Sequence, residues 1–216
     1  MKKSQGFTLV EIAIVLVIIG LLLGGVLKGQ ELIFNARAKA IVNDLKGVQA
    51  AIFAYQDKFH AVPGDDPRPV ADVNGTLSTA NVAGDTRGNS RISGAWNSAV
   101  ATQESFLMWQ HLRLANVLAG NPDTAATDYL PVNSQGGRIG VSSVTPIAGM
   151  RGSFFACSDG VDGRLARQID TYVDGESVSD RGSLQVRAVA GGAAVAPVVG
   201  TPGPADGTTY IVCMSF

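Results

Sequence analysis

The sequence predicts an α+β fold in which one long N-terminal helix packs on a small antiparallel sheet. Three observations point there. Residues Phe7–Leu27 form a 21-residue apolar run interrupted by one charge, Glu11. An apolar stripe at helical spacing carries that run on to Phe59. Beyond Arg138, short segments that alternate or run apolar recur between turn-forming residues, the pattern of a sheet laid against a preceding helix. The length of 216 residues suits one ordinary domain with an appended element. With 17 basic and 18 acidic residues, nothing electrostatic suggests a nucleic-acid partner.

The first element is the apolar run. As a helix it rises about 1.5 Å per residue, so it spans roughly the 30 Å hydrocarbon thickness of a bilayer. A cleaved signal peptide fits poorly. Its apolar core is usually about 7–15 residues, followed by a small-residue cleavage site. Here the run is longer and is followed by Lys28-Gly29-Gln30-Glu31. The short leader in front, Met1–Gly6, carries Lys2 and Lys3, which should stay cytoplasmic and put the C-terminal bulk across the membrane. Glu11 argues against a plain anchor, because an acid inside a spanning segment is costly and such residues are usually functional. Protonation, snorkelling to the headgroups or a cation from another chain could meet that cost. Nothing else in the run can pair with it.

The stretch Lys2-Lys3-Ser4-Gln5-Gly6-Phe7-Thr8-Leu9-Val10-Glu11 resembles the leader of type IV prepilins and type II secretion pseudopilins. That pattern is a short basic leader ending in Gly, an aromatic first mature residue, and Glu five residues into the mature chain. The resemblance covers about the first thirty residues. It implies cleavage after Gly6 by a prepilin peptidase, N-methylation of Phe7 by the same enzyme, and an assembly role for Glu11 opposite the Phe7 amine of a neighbouring copy. In a low-dielectric filament core an unpaired charge is expensive, so a subunit docked out of register would leave both charges orphaned. The partners implied are other copies of the chain in a helical filament, the peptidase, an inner-membrane assembly platform and, before assembly, the lipid bilayer. The implied location is the bacterial inner membrane with a cytoplasmic N-terminus, then a periplasmic or surface filament. Gly20, Gly24, Gly25 and Gly29 fit either close packing through small residues or local unwinding on filament formation. The resemblance favours unwinding, although no Pro precedes Pro63.

The expected organisation is a leader at 1–6, a stem helix at 7–59 with 7–27 transmembrane, and a globular domain at 60–216. In the stem, Phe34, Ala38, Ile41, Leu45, Val48, Ile52, Tyr55 and Phe59 recur at spacings of three and four. Fully helical, Phe7 to Phe59 would reach about 80 Å. The stripe is too short for a free-standing coiled coil and should pack on the chain's own C-terminal domain. Pro63-Gly64 supplies the stop.

Residues 61–101 read as a long polar connection, and Gly84–Ile92 within it as a turn rather than a calcium loop. A second helix is expected over Thr102–Leu118, ended by Gly120 and Pro122. His60 and His111 read as ordinary surface or packing residues. Strands are expected at Arg138–Thr145, Ser153–Ser158, Ser183–Val189 and Thr208–Ser215, with a short helix from Asp159-Gly160-Val161-Asp162-Gly163 through Tyr172. Asp170 and Asp174 then fall one helical turn apart. With Glu176 they are the candidate Ca²⁺ ligands, and helix capping and turn formation are the competing explanation. Calcium in this region occurs in some pseudopilins. Cys157 and Cys213 are compatible with a bridge or with two separate thiols. An extracytoplasmic setting favours the bridge, which resembles the disulfide-bounded C-terminal loop of many pilins.

No nucleophile motif or phosphate loop stands out, so an enzyme is not expected. The leading functional class is a structural filament subunit. The length leans toward a pilus over a secretion pseudopilus, whose major subunits tend to be shorter, and Glu11 disfavours the tip pseudopilin that lacks this acid. The competing class is an enzyme or binding domain on an uncleaved anchor.

Overall fold

Helix α1 runs Leu9–Phe59 without a break, through all four N-terminal glycines. The computed structural model describes residues 8–68, 88–175, 182–190, 193–194 and 206–216. The chain divides into two compact units, one through Arg37 and the other Ala38–Phe216.

Within the second unit, α1 buries Ala38, Ile41, Val42, Leu45, Val48, Ala51, Ile52 and Tyr55. These include the expected stripe from Ala38 to Tyr55. Val42 and Ala51 widen it, giving the broad apolar face of a helix packed on a domain. The helix stops before Pro63 because His60 turns left-handed, φ 53°, while its N–H still reaches the Gln56 carbonyl. Arg68 then donates to the Phe59 carbonyl, and Lys58 reaches across to the Ala115 carbonyl.

Helix α2 spans Glu104–Leu114, shorter at both ends than the expected Thr102–Leu118. Asn116 adopts φ 61°, and the N–H groups of Val117 and Leu118 fold back onto the Leu112 carbonyl. This left-handed closure ends the helix well before Gly120. Every residue of α2 is buried, including His111 and Arg113.

Strands β1 (Ile139–Ser142), β2 (Phe155–Asp162), β3 (Leu184–Ala190), β4 (Ala193–Ala194) and β5 (Thr209–Ser215) form an antiparallel sheet in the order β1-β2-β5-β3-β4. Four strands make the body of the sheet, and β4 adds two residues to the outer edge of β3. The C-terminal strand therefore lies between β2 and β3. The expected strand at Arg138–Thr145 contracts to four residues. The one expected at Ser153–Ser158 starts later and continues to Asp162. Asp159-Gly160 is thus strand rather than a helix start. The β2–β5 register shifts between Ser158 and Val161, and Gly160 takes up the irregularity at φ 69°.

Helix α3 (Gly163–Asp174) follows at once, with Asp162 as N-cap accepting from the Arg164 N–H. Left-handed Gly175 ends it. It lies against β2, β3 and β5, while α2 meets β1. One sheet face carries Phe155, Cys157, Ile211 and Cys213 under Ile147 and Met150, with Trp96 at the margin. No helix contributes to that cluster. Residues that alternate with it, Ala156, Val212 and Met214, are buried on the opposite face. The architecture is pilin-like: a long N-terminal helix plus a small antiparallel sheet.

Candidate functional site

The first turn of α1 is closed on itself. The N–H and hydroxyl of Thr8 both donate to Glu11 Oε2, each at 2.8 Å. The Glu11 N–H donates back to Thr8 Oγ1 at 3.2 Å. This is a reciprocal capping box with Thr8 as N-cap and Glu11 at the third helical position. The positive end of the helix dipole favours a carboxylate there. Around it the helix is bare: Leu9 is 91% exposed, and Val10, Ile12, Ile14 and Val15 are also exposed. The helix is long and apolar enough to cross a membrane, and its most apolar stretch is not buried against the described residues. Where the run ends, Lys28 and Glu31 pair at 2.8 Å on the exposed surface. Gly20, Gly24, Gly25 and Gly29 have open space where a side chain would stand. The cleavage and methylation residues Gly6 and Phe7 lie outside the described residues.

In the second unit, Cys157 of β2 stands opposite Cys213 of β5, and the two form a disulfide with Cα atoms 4.0 Å apart. Both are fully buried.

Asp174 is committed to the chain's own backbone. One carboxylate oxygen accepts from the Ser183 N–H and hydroxyl, at 3.3 and 2.7 Å, and the other from the Leu184 N–H at 2.9 Å. It therefore ties the end of α3 to the start of β3. Asp170, one turn earlier, is fully buried, and neither of its oxygens has a hydrogen-bond partner. Burial, and secondarily the charge on Asp174, push its carboxyl up to about 7. Glu176, the third candidate Ca²⁺ ligand, lies outside the described residues. Among the described residues no group of three His, Cys, Asp or Glu converges as metal ligands would.

A small cleft lies between His60, Asp65, Arg68 and Ser90. Its polar atoms serve the local backbone. Asp65 accepts from the N–H groups of Gly88 and Ser90, and Arg68 is bound to Asp66 and to the Phe59 carbonyl. Beside it, His111 Nδ1 accepts the Gly64 N–H at 3.1 Å. Next to His111, which packs there as one of the two readings for it expected, Asp65, Asp66 and Glu104 form a buried polar layer not foreseen from the sequence. The pair Asp65-Asp66 directly after Pro63-Gly64 was its one available signal, since acids there commonly accept backbone amides of a turn.

An apolar helix of this length near the N-terminus is consistent with membrane anchoring. Comparison with known proteins makes the class specific. Residues 1–27 match the family described as the prokaryotic N-terminal methylation motif, the prepilin-type cleavage and methylation segment of type IV pilins and pseudopilins. No curated protein and no solved structure matches the chain.

Proposed function

We propose that the chain is a prepilin: a structural subunit cleaved between Gly6 and Phe7, N-methylated on Phe7 and polymerised into a type IV pilus-like filament. The observation that carries this is Glu11. It is the one charge in the apolar run inside the matched methylation segment, and that stretch of the helix is not buried against the described residues. In this reading Lys2 and Lys3 hold the leader in the cytoplasm and the helix waits in the inner membrane. A prepilin peptidase processes the chain, and an assembly platform moves it into the filament. There, Glu11 meets the Phe7 amine of an adjacent copy. The pair acts mainly on register, because a misdocked copy strands two charges in a low-dielectric core.

The test is the mass of the mature N-terminus from native membranes. Loss of residues 1–6 with a methyl group gained on Phe7 supports the reading; a chain still beginning at Met1 sinks it and favours an enzyme or binding domain on an uncleaved anchor. Glu11→Val should leave the subunit in the membrane and abolish most filament yield, so normal yield from that variant also counts against it. Surface fibres seen by electron microscopy would mark a pilus. Fibres confined to the periplasm would mark the alternative, a type II secretion pseudopilus.

A further inference from the structure

One side of helix α2 is covered by the segment that follows it. Phe106, Gln110 and Arg113 recur at spacings of four and three, so they share a helix face. Against that face lie residues 116–130, in which Tyr129 is the one buried side chain. Its hydroxyl is keyed into the helix. It accepts the Gln110 N–H at 3.0 Å and donates to the Phe106 carbonyl at 2.8 Å. Those two groups form a single i→i−4 step of an α-helix and are each other's ordinary partners. The Tyr129 ring packs on Phe106 with centroids 4.6 Å apart. Carbonyls of the segment complete the contact. Arg113 Nη1 donates to the Asn121 and Tyr129 carbonyls at 2.8 and 2.6 Å, and Gln110 Nε2 to the Pro122 carbonyl at 3.2 Å.

This closure has a cost. Arg113 is 8% exposed, and its Nε has no hydrogen-bond partner. Among the described residues no carboxylate stands within ion-pair distance of it. Burial lowers its pKa, so the charged guanidinium is less at ease here than in water.

We propose that residues 116–130 are a strap that opens as one unit while the rest of the domain stays folded, with the Tyr129 hydroxyl as its latch. Opening returns the Phe106 carbonyl and the Gln110 amide to each other, so α2 needs no repair when the strap leaves. It also gives Arg113 back to water. The open form presents an aromatic ring and a guanidinium on one helix face that the closed form hides. The strap stays anchored at both ends. Left-handed Asn116 and the Val117 and Leu118 amides on the Leu112 carbonyl hold the start, and the Ile139 N–H holds the Pro131 carbonyl beyond the end. The proposal is independent of the filament reading.

The experiment follows amide exchange by NMR for the full chain in detergent micelles, comparing the wild type with Tyr129→Phe and Gly120→Ala. Tyr129→Phe keeps the ring and removes the latch. Amides of 116–130 should then exchange about tenfold faster, the weight of two modest hydrogen bonds, while α2 and the β2–β5 pair keep wild-type protection. Gly120→Ala acts near the other end of the strap. Gly120 has φ 136°, and a Cβ there would meet Arg113 Nε at 2.6 Å. It should speed exchange at Tyr129 by a similar factor. In a second arm an arginine-specific dicarbonyl is added and the modified peptides are weighed. Arg113 should react slowly in the wild type and about tenfold faster in both variants, with exposed Arg151 unchanged. Wild-type exchange over 116–130 in Tyr129→Phe overturns the proposal. Protection lost in β2 and β5 together with the strap also overturns it, because Tyr129 would then be an ordinary core residue. A Gly120→Ala effect that never reaches Tyr129 overturns it too, since the segment would not move as a unit.

Discussion

Asp170 is a fully buried carboxylate with no donor to either oxygen, and that fixes the sign of its contribution to stability. Its pKa in the folded chain, about 7, lies above the ordinary 3.8, so the folded state keeps a proton that the unfolded state gives up. The stabilisation is complete below about pH 4 and is lost as pH rises to about 7. The melting temperature of the processed chain in detergent should therefore carry a component that declines across that window. Asp170→Asn should remove the decline and melt higher than the wild type at pH 8. A less stable Asn variant at pH 8 would refute this. Calcium held by Asp170, Asp174 and Glu176 would give the opposite signature: added Ca²⁺ would raise the wild-type melt at pH 8 and leave the Asn variant unmoved. Glu11 was legible as a spacing, because an acid in an apolar run is conspicuous. Asp170 was legible only as a candidate ligand one turn from Asp174. Its burial depends on strands β2, β3 and β5 lying under α3, and no spacing within α3 reports that.

At the scale of elements, the C-terminal half of α1 and the β2–β5 pair do most to hold the second unit. Ile52 is fully buried, and Ile52→Ala should cost about 2–5 kcal/mol, read as a lowered melting temperature. Phe53, next to it and 48% exposed, should tolerate Ala with under about half that loss. The Cys157–Cys213 bridge closes a span of 56 residues. In the chain-entropy model such a loop contributes about 4 kcal/mol. Since both sulfurs are buried, reduction should proceed through transient opening and then lower the melting temperature; an unchanged melt after complete reduction would discard the stabilising role. The stem stripe was readable because helical period alone sorts Ile41, Leu45 and Ile52 onto one face. The extension of β2 through Asp159-Gly160 was not, since an Asp-Gly pair ordinarily marks a turn and only the register imposed by β5 keeps it in the ladder. The early end of α2 hid for a related reason. Asn116 permits a left-handed residue but does not require one, and the choice is made by the Val117 and Leu118 amides returning to Leu112.

For the whole chain, the two units differ in what they hold. The unit through Arg37 holds the processing segment and the exposed apolar helix. The unit from Ala38 holds the sheet, the disulfide and the buried polar layer. Substitutions should separate accordingly. Ile52→Ala should lower the melting temperature while the processed N-terminal mass is unchanged, and Glu11→Val should do the reverse to filament yield without lowering the melt. A shared loss in both assays from either variant would contradict that division. The position of β5 has a consequence for how the protein is made. Strand β5 follows the other strands in sequence yet occupies the middle of the sheet, so a chain cut before Thr209 cannot approximate the finished domain. A product of early termination lacks its central strand, offers two raw strand edges and keeps an unmatched thiol. Incomplete copies are thereby chemically distinguishable from complete ones before any of them is offered to a growing fibre.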